Sequence, residues 1–229
     1  MPRYDFVLLD ADNTLFDFDA AERAALRRAM EERGYPFNAE TEGAYLAINR
    51  ALWAAFDRGE VPQEVLVVER FRRLNAQLGG DADPVRFNYD YLTYLGQSSQ
   101  LLPGAEELCR DLARQCTLAL CTNGVARVQH ARLEASPLTP YLSGVFISEE
   151  LGCQKPQAEF FAQVFQAMHI SDPARCVMVG DGLASDIQGG INAGIDTIWY
   201  APKGQSPRPG ITPTHTAGHY DDIRSLILD

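Results

Sequence analysis

The chain has 229 residues, 46% of them apolar, enough for one large domain or for a core carrying an inserted module. Twenty basic residues against 31 acidic ones leave a net charge of −11, and no Lys/Arg-rich run is present, so a nucleic-acid polymer is not the expected partner. No segment approaches the ~18 apolar residues of a membrane span and the start lacks a basic-then-apolar secretion pattern, so a soluble, cytoplasmic protein without a membrane partner is expected. The five cysteines show no Cys-x-x-Cys spacing and read as reduced, mostly buried small hydrophobes. His215 and His219 stand four apart, but their Pro/Gly-rich surroundings argue against a helical metal pair.

Along the chain, Phe6-Val7-Leu8-Leu9 is a short apolar run ending in polar residues, the pattern of a buried strand. The next eighty or so residues are helical throughout on pattern and breakers. Helices are expected over 19–33, 40–57, 62–78 and 84–95, punctuated by Gly34, Gly59 and Gly79-Gly80. Beyond Pro103-Gly104 the rhythm changes. Leu108, Cys109, Leu112 and Cys116 line one helix face, 117–121 is a strand, and 125–135 a helix. Residues 145–147 form a short strand, and Phe160, Phe161, Val164, Phe165 and Met168 make a helical stripe with Pro156 as the expected first helical residue. Strands at 176–179 and 197–200 flank a helix over 187–193, and a last helix lies near 221–228. Alternating strands and helices imply βαβ units and a parallel sheet. The expected architecture is an α/β, Rossmann-like doubly wound core (residues 1–16 and 100–229) with an inserted helical bundle (residues 17–99).

In an open parallel sheet, ligands bind beyond the carboxyl ends of the strands. Four polar clusters fall there: Asp10-Ala11-Asp12-Asn13-Thr14; Thr122-Asn123-Gly124; Lys155-Pro156; and Gly180-Asp181-Gly182 with Asp186 behind it. Two carboxylates at i and i+2 at the end of a buried strand are costly unless paired or metal-bound. They suit metal-assisted phosphoryl transfer, with one Asp attacking phosphorus and the other handling protons. Thr122 offers a hydroxyl, and the loop at Asn123 and Gly124 offers N–H groups at a helix start. Lys155 can neutralise a nucleophile–phosphate pair. Asp181 and Asp186 add the oxygen ligands a hard Mg²⁺ requires. Each cluster alone reads as a turn, a cap or a solvated side chain; four in order at strand ends favour chemistry.

Asp-x-Asp-x-Thr, Thr-Asn-Gly, Lys-Pro and Gly-Asp-x-x-x-x-Asp, in this order, resemble the four motifs of the haloacid dehalogenase-like (HAD) phosphohydrolase superfamily. The match spans the whole core, and the helical insertion after the first motif resembles that family's C1-type cap. The resemblance implies that Asp10 is the nucleophile that forms an aspartyl-phosphate. Asp12 would be general acid and then general base, with its backbone carbonyl on Mg²⁺. Thr122 and Lys155 would hold phosphate, and Asp181 and Asp186 would complete the metal site. Many relatives carry Gly where Asn13 stands, so an unusual φ is expected there, which Asn tolerates. Dehalogenases lack a carboxylate at the position of Asp12, and the insertion has none of the lysines a phosphonatase needs.

The runs Asp10-Ala11-Asp12-Asn13-Thr14-Leu15-Phe16, Ile147-Ser148-Glu149-Glu150, Asn49-Arg50-Ala51-Leu52-Trp53 and the segment 185–194 resemble bacterial house-cleaning pyrimidine 5′-nucleotidases. The implied reaction is hydrolysis of pyrimidine nucleoside 5′-monophosphates with Mg²⁺, for which Mn²⁺ could substitute at an all-oxygen site. N-acylneuraminate-9-phosphatases, other sugar-phosphate phosphatases and phosphomutases share the same motifs and stay open as alternatives; a non-catalytic phosphate binder is disfavoured by the intact site. The partner is a small phosphomonoester, and the oligomeric state is left open. Phe16, Phe18, Asn49 and Trp53 are candidates to contact the base or sugar, since an aromatic face can stack on a pyrimidine. Packing is the competing role for Trp53, which flanks the stripe Tyr45, Ile48, Leu52 and Phe56.

Overall fold

In the computed structural model, which describes residues 2–206 and 209–229, six parallel strands follow the chain as β1 (Phe6–Leu9), β2 (Thr117–Thr122), β3 (Gly144–Ile147), β4 (Cys176–Gly180), β5 (Asp196–Tyr200) and β6 (His215–Ala217). Their order in the sheet is β3-β2-β1-β4-β5-β6. Phe6 pairs with Thr117 on one side and Cys176 on the other, so β1 is central. The order reverses between β1 and β4, the place where open α/β sheets leave a crevice beyond the strand ends. This is the expected α/β, Rossmann-like doubly wound fold.

The chain forms two compact units, one made of Met1–Asp17 with Ser99–Asp229 and the other of Phe18–Ser98. The second is all-helical: α1 (Phe18–Glu31), α2 (Ala39–Asp57), α3 (Gln63–Leu78) and α4 (Pro84–Gly96). Its punctuation explains its boundaries. Asn38 caps α2 through the N–H groups of Glu40 and Thr41, and Asp83 caps α4 ahead of Pro84. Gly79 stops α3 in the left-handed conformation at φ 66°. Pro62 is the cap of α3 rather than its first residue. The apolar centre is aromatic, with Phe71 stacked on Phe87 at 4.3 Å and Tyr45 and Tyr91 beside them.

Within that centre lies a polar network that the hydrophobic pattern conceals. Arg70 is 2% exposed and donates to Asn88 (3.0 Å), Asn49 (3.3 Å) and the Tyr45 hydroxyl (3.3 Å). Asn49 in turn donates to buried Glu22 at 2.8 Å. Two opposite charges thus enter a low-dielectric interior through a bridging amide, with their hydrogen-bonding groups satisfied.

The α/β unit carries α5 (Ala105–Leu112), α6 (Ala126–Glu134), α7 (Ser148–Leu151), α8 (Ala158–Met168), α9 (Gln188–Ala193) and α10 (Tyr220–Leu228). Alternation along the strands separates two cores. Val7, Leu9, Leu118 and Val177 pack with Leu108 of α5 and Ile223 of α10; Leu8, Ala119 and Met178 pack with Phe160, Phe161 and Val164 of α8. Helix α8 begins later than expected, with Gln157 as its cap. Pro156 instead follows a cis peptide bond in a turn closed by the Gln157 N–H on the Gln154 carbonyl (2.8 Å). Strand β6 was not expected: three residues among Pro and Gly give almost no alternation. Thr197 and Thr214 exchange backbone-to-hydroxyl hydrogen bonds of 3.0 Å each just ahead of it. All five cysteines are free thiols, four of them buried. No described helix is long and apolar enough to cross a membrane.

Burial, opposed by the Arg70 charge, pushes the Glu22 carboxyl up to about 7. An acid raised above its unfolded value costs stability once ionised, so this penalty is absent below pH ~4.5 and complete above pH ~7.5. Glu22→Gln should therefore gain on wild type between pH 5 and pH 8, by at most about 3 kcal/mol. Urea melts at the two pH values measure it; a pH-independent difference would contradict this account.

Candidate active site

The carboxyl end of β1 delivers Asp10 into the crevice, and the residues behind it fold into a tight turn. Leu15 and Phe16 both donate to the Ala11 carbonyl (2.9 Å each), and the Asn13 N–H donates to the Phe16 carbonyl (2.9 Å). Closing that turn puts Asn13 at φ 60°, the left-handed region expected of it. The side chains of Asp10 and Asp12 leave the strand end in different settings.

Asp10 faces Lys155. The Lys155 ammonium is 1% exposed and donates to Asp10 Oδ1 (2.7 Å), Asp186 Oδ1 (2.6 Å) and the Cys121 carbonyl (2.7 Å). All three of its protons have acceptors. Asn123 fixes the lysine from behind: its amide accepts from the Lys155 N–H (3.0 Å) and donates to the Lys155 carbonyl (2.8 Å). Thr122, at the end of β2, accepts from the Gly124 N–H (3.0 Å) and from Gln129 (3.2 Å). A side chain at Gly124 would collide with Gln129, its Cβ lying 2.1 Å from Nε2, which accounts for the Gly of Thr-Asn-Gly.

Asp181 and Asp186 come from the end of β4 and the single π-helical turn Leu183–Ile187 that follows it. The Asp181 backbone is held by its N–H on Thr14 Oγ1 (3.1 Å) and by its carbonyl under the Trp199 indole N–H (2.9 Å). Tyr220 of α10 holds the Thr14 carbonyl in turn (2.7 Å). Asp186 Oδ2 accepts from the Gly182 N–H (2.9 Å), and a Cβ at Gly180 would lie 2.2 Å from that oxygen, so glycine is required where the carboxylate crosses the strand end.

The Asp12 carboxylate turns to α6 instead, accepting from Gln129 Nε2 (2.7 Å) and from Arg132. Neither Gln129 nor Arg132 belongs to any of the four motif clusters at the strand ends. The available signal was weak: an amide and a guanidinium three apart, sharing a helix face with Val128 and Leu133, where burial calls for apolar residues.

One oxygen each from Asp10, Asp181 and Asp186 lies within 4.8 Å of the others. Among the described residues, the four carboxylates (Asp10, Asp12, Asp181 and Asp186) are paired with two cations, Lys155 and Arg132, so the cluster carries excess negative charge. Burial and the neighbouring Asp186 raise the Asp10 carboxyl to about 7, even against Lys155. Burial and Asp10 raise Asp181 to about 8. Burial opposes the charge on Lys155, but Asp10 and Asp186 outweigh it and hold the ammonium well above its ordinary value. A cluster of hard oxygen donors short of positive charge fits a divalent cation such as Mg²⁺.

Of the substrate candidates, Phe16 is fully buried in the α/β core with the Arg132 guanidinium 4.4 Å from its ring centroid. Asn49 is buried in the helical unit and its amide is committed to Glu22 and Arg70. Phe18 and Trp53 are half-buried, with Trp53 edge-on to Phe56 at 5.4 Å.

Residues 4–194 match the haloacid dehalogenase-like hydrolase family, and the chain belongs to it. It is an enzyme of the hydrolase class. It is 39% identical to the pyrimidine 5′-nucleotidase PynA of Streptococcus pneumoniae, over 96% of this chain and 93% of that one. Identity to the pyrimidine 5′-nucleotidase YjjG of Escherichia coli is 32%, over 98% of each chain. The magnesium-bound crystal structure of the HAD-hydrolase YfnB from Bacillus subtilis superposes with a TM-score of 0.93 at 35% identity, covering 98% of both chains.

The raised carboxyls make a thermodynamic prediction. Without metal, the penalty from Asp10 and Asp181 is absent below pH ~4 and grows as pH rises through 7 to 8. In EDTA at pH 8.5, Asp181→Asn should melt at least about 2 °C above wild type. The same substitution should shrink the rise in Tm that Mg²⁺ produces. Differential scanning fluorimetry checks both; a lower metal-free Tm with an unchanged Mg²⁺ response would contradict the charge assignment.

Proposed function

We propose that this enzyme is a Mg²⁺-dependent phosphatase that hydrolyses pyrimidine nucleoside 5′-monophosphates through a phosphorylated Asp10. The observation that carries the phosphatase reading is the convergence of Asp10, Lys155, Asp181 and Asp186 at adjoining strand ends, with a second carboxylate, Asp12, two residues beyond the nucleophile. The nucleotide reading rests on similarity to the two pyrimidine 5′-nucleotidases.

Asp10 attacks phosphorus with a carboxylate oxygen. Lys155 neutralises the meeting of that anion with the phosphoryl group. Thr122 and the loop at Asn123 and Gly124 hold phosphoryl oxygens whose charge changes in flight. Asp12 gives a proton to the departing nucleoside 5′-oxygen as the phosphorus–oxygen bond breaks. Asp12 then takes a proton from water as that water attacks the phosphorus of the aspartyl-phosphate, which releases inorganic phosphate and restores Asp10. Asp10, Asp181, Asp186 and the Asp12 backbone carbonyl are the groups that would hold Mg²⁺, which supplies further neutralisation of the transferring group.

An N-acylneuraminate-9-phosphatase activity is the second reading, supported by 26% identity to the human enzyme of that name over 90% of this chain. A panel of UMP, dUMP, dTMP, AMP, N-acetylneuraminate 9-phosphate and sugar phosphates, assayed with Mg²⁺ for phosphate release, separates the two. Preference for the pyrimidine nucleotides, abolished in Asp10→Asn, is the expected result. Release only from sugar phosphates would move the enzyme to the other branch, and isomerisation without free phosphate would make it a mutase. Trp53, half-buried in the helical unit, is the aromatic proposed to stack on the base. Trp53→Ala should raise KM for UMP about tenfold, as loss of one base-stacking contact does. Its KM for p-nitrophenyl phosphate should not move, and equal losses on both would remove Trp53 from the substrate site.

A further inference from the structure

We infer that Arg132, with Gln129, is the positioning residue of the acid–base group: it holds the Asp12 carboxylate where that group can serve the leaving oxygen and then the water. The inference rests on the phosphatase reading of Asp12. Both side chains project from one face of α6, three residues apart, the spacing that brings neighbours together on a helix. They grip opposite oxygens, Arg132 on Oδ1 and Gln129 on Oδ2. A carboxylate held at both oxygens cannot rotate about its last bond without breaking a hydrogen bond.

The grip is itself anchored. Arg132 is 0% exposed, although arginine is rarely interred without a partner, and its guanidinium lies against the Phe16 ring at 4.4 Å. Phe16 closes the turn that begins at Asp12, its carbonyl accepting the Asn13 N–H. Arg132 therefore fixes both ends of the five-residue turn that carries the acid–base group. Gln129 also touches Thr122 Oγ1 at 3.2 Å, which ties the acid–base carboxylate to a group at the phosphate end of β2. The two α6 residues thus have separable roles: Arg132 joins Asp12 to Phe16, and Gln129 joins Asp12 to Thr122.

The test compares two leaving groups. A nucleoside 5′-oxygen needs a proton to depart, whereas p-nitrophenolate does not; both routes need Asp12 as base in the second step. In Arg132→Met with UMP, kcat should fall about 100-fold while KM stays within about threefold, the range expected for loss of general acid–base help. With p-nitrophenyl phosphate, stopped flow should show a burst of about one p-nitrophenolate per active site and then a slow steady rate, because phosphorylation of Asp10 proceeds and water attack lags. Arg132→Lys should recover most of kcat, and Gln129→Met should lower kcat and raise KM together. A purely structural loss would depress both substrates equally, give no burst and be indifferent to lysine; that pattern, or wild-type kcat in Arg132→Met, overturns the inference. If circular dichroism shows Arg132→Met unfolded, Gln129→Met carries the same burst criterion with the same reversal. A wild-type enzyme that releases phosphate from neither compound refutes the phosphatase reading, and this inference with it. An active wild type beside a normal Arg132→Met refutes the inference alone.

Discussion

One buried ammonium organises the cluster at the strand ends. Lys155 is 1% exposed and divides its three protons among Asp10, Asp186 and the Cys121 carbonyl, so it joins the ends of β1 and β2 to the π-helical turn after β4. Removing any one partner would leave a charge or carbonyl uncompensated in a dry interior, which is far costlier than never having built the cluster. The surrounding features serve that geometry. Asn123 clamps the lysine backbone and Gly180 makes way for Asp186. The carboxylates nonetheless outnumber the cations, an imbalance that fits a divalent ion.

Asp10 and Asp12 show how environment separates two identical side chains. Asp10 shares a buried lysine with other acids, and burial holds its proton affinity high. Asp12, two residues on, leaves the cluster for an amide and a guanidinium on α6. Alternation along an extended strand end sends residues at i and i+2 the same way, and the turn from Ala11 to Phe16 breaks that parity. The two carboxylates thus sit side by side without competing for the same partners.

What was legible in the sequence follows from where signals are local. Strand ends, glycines and motif spacing named Asp10, Thr122, Lys155 and Asp181, and the alternation of strands with helices announced a parallel sheet, now seen with β1 at its centre. Asn13 was expected to need an unusual φ, and it adopts 60°. Less was readable where a side chain's role depends on distant partners. Arg132 and Gln129 look like ordinary surface residues of a short helix until Asp12, 120 positions away, is brought against them. Glu22 and Arg70 disappear into amphipathic helices in the same way. Strand β6 is too short to alternate, and Pro156 misled because a proline suits a helix start and a tight turn alike.

The central place of β1 also shapes how the chain can assemble. Its neighbours in the sheet are β2 and β4, so Phe6 must find Thr117 and Cys176 across more than a hundred residues of chain. Pairings of such long sequence separation are slow to form, because loop closure comes before any contact rewards it. The unit Phe18–Ser98, by contrast, is one continuous stretch of helices with its own aromatic centre. On a ribosome the inserted helices emerge complete while Val7, Leu8 and Leu9 still lack both neighbours. The strand that carries Asp10 is thus made before both of its neighbours and covered only after β4 is complete, which leaves its apolar residues exposed to aggregation in the interval.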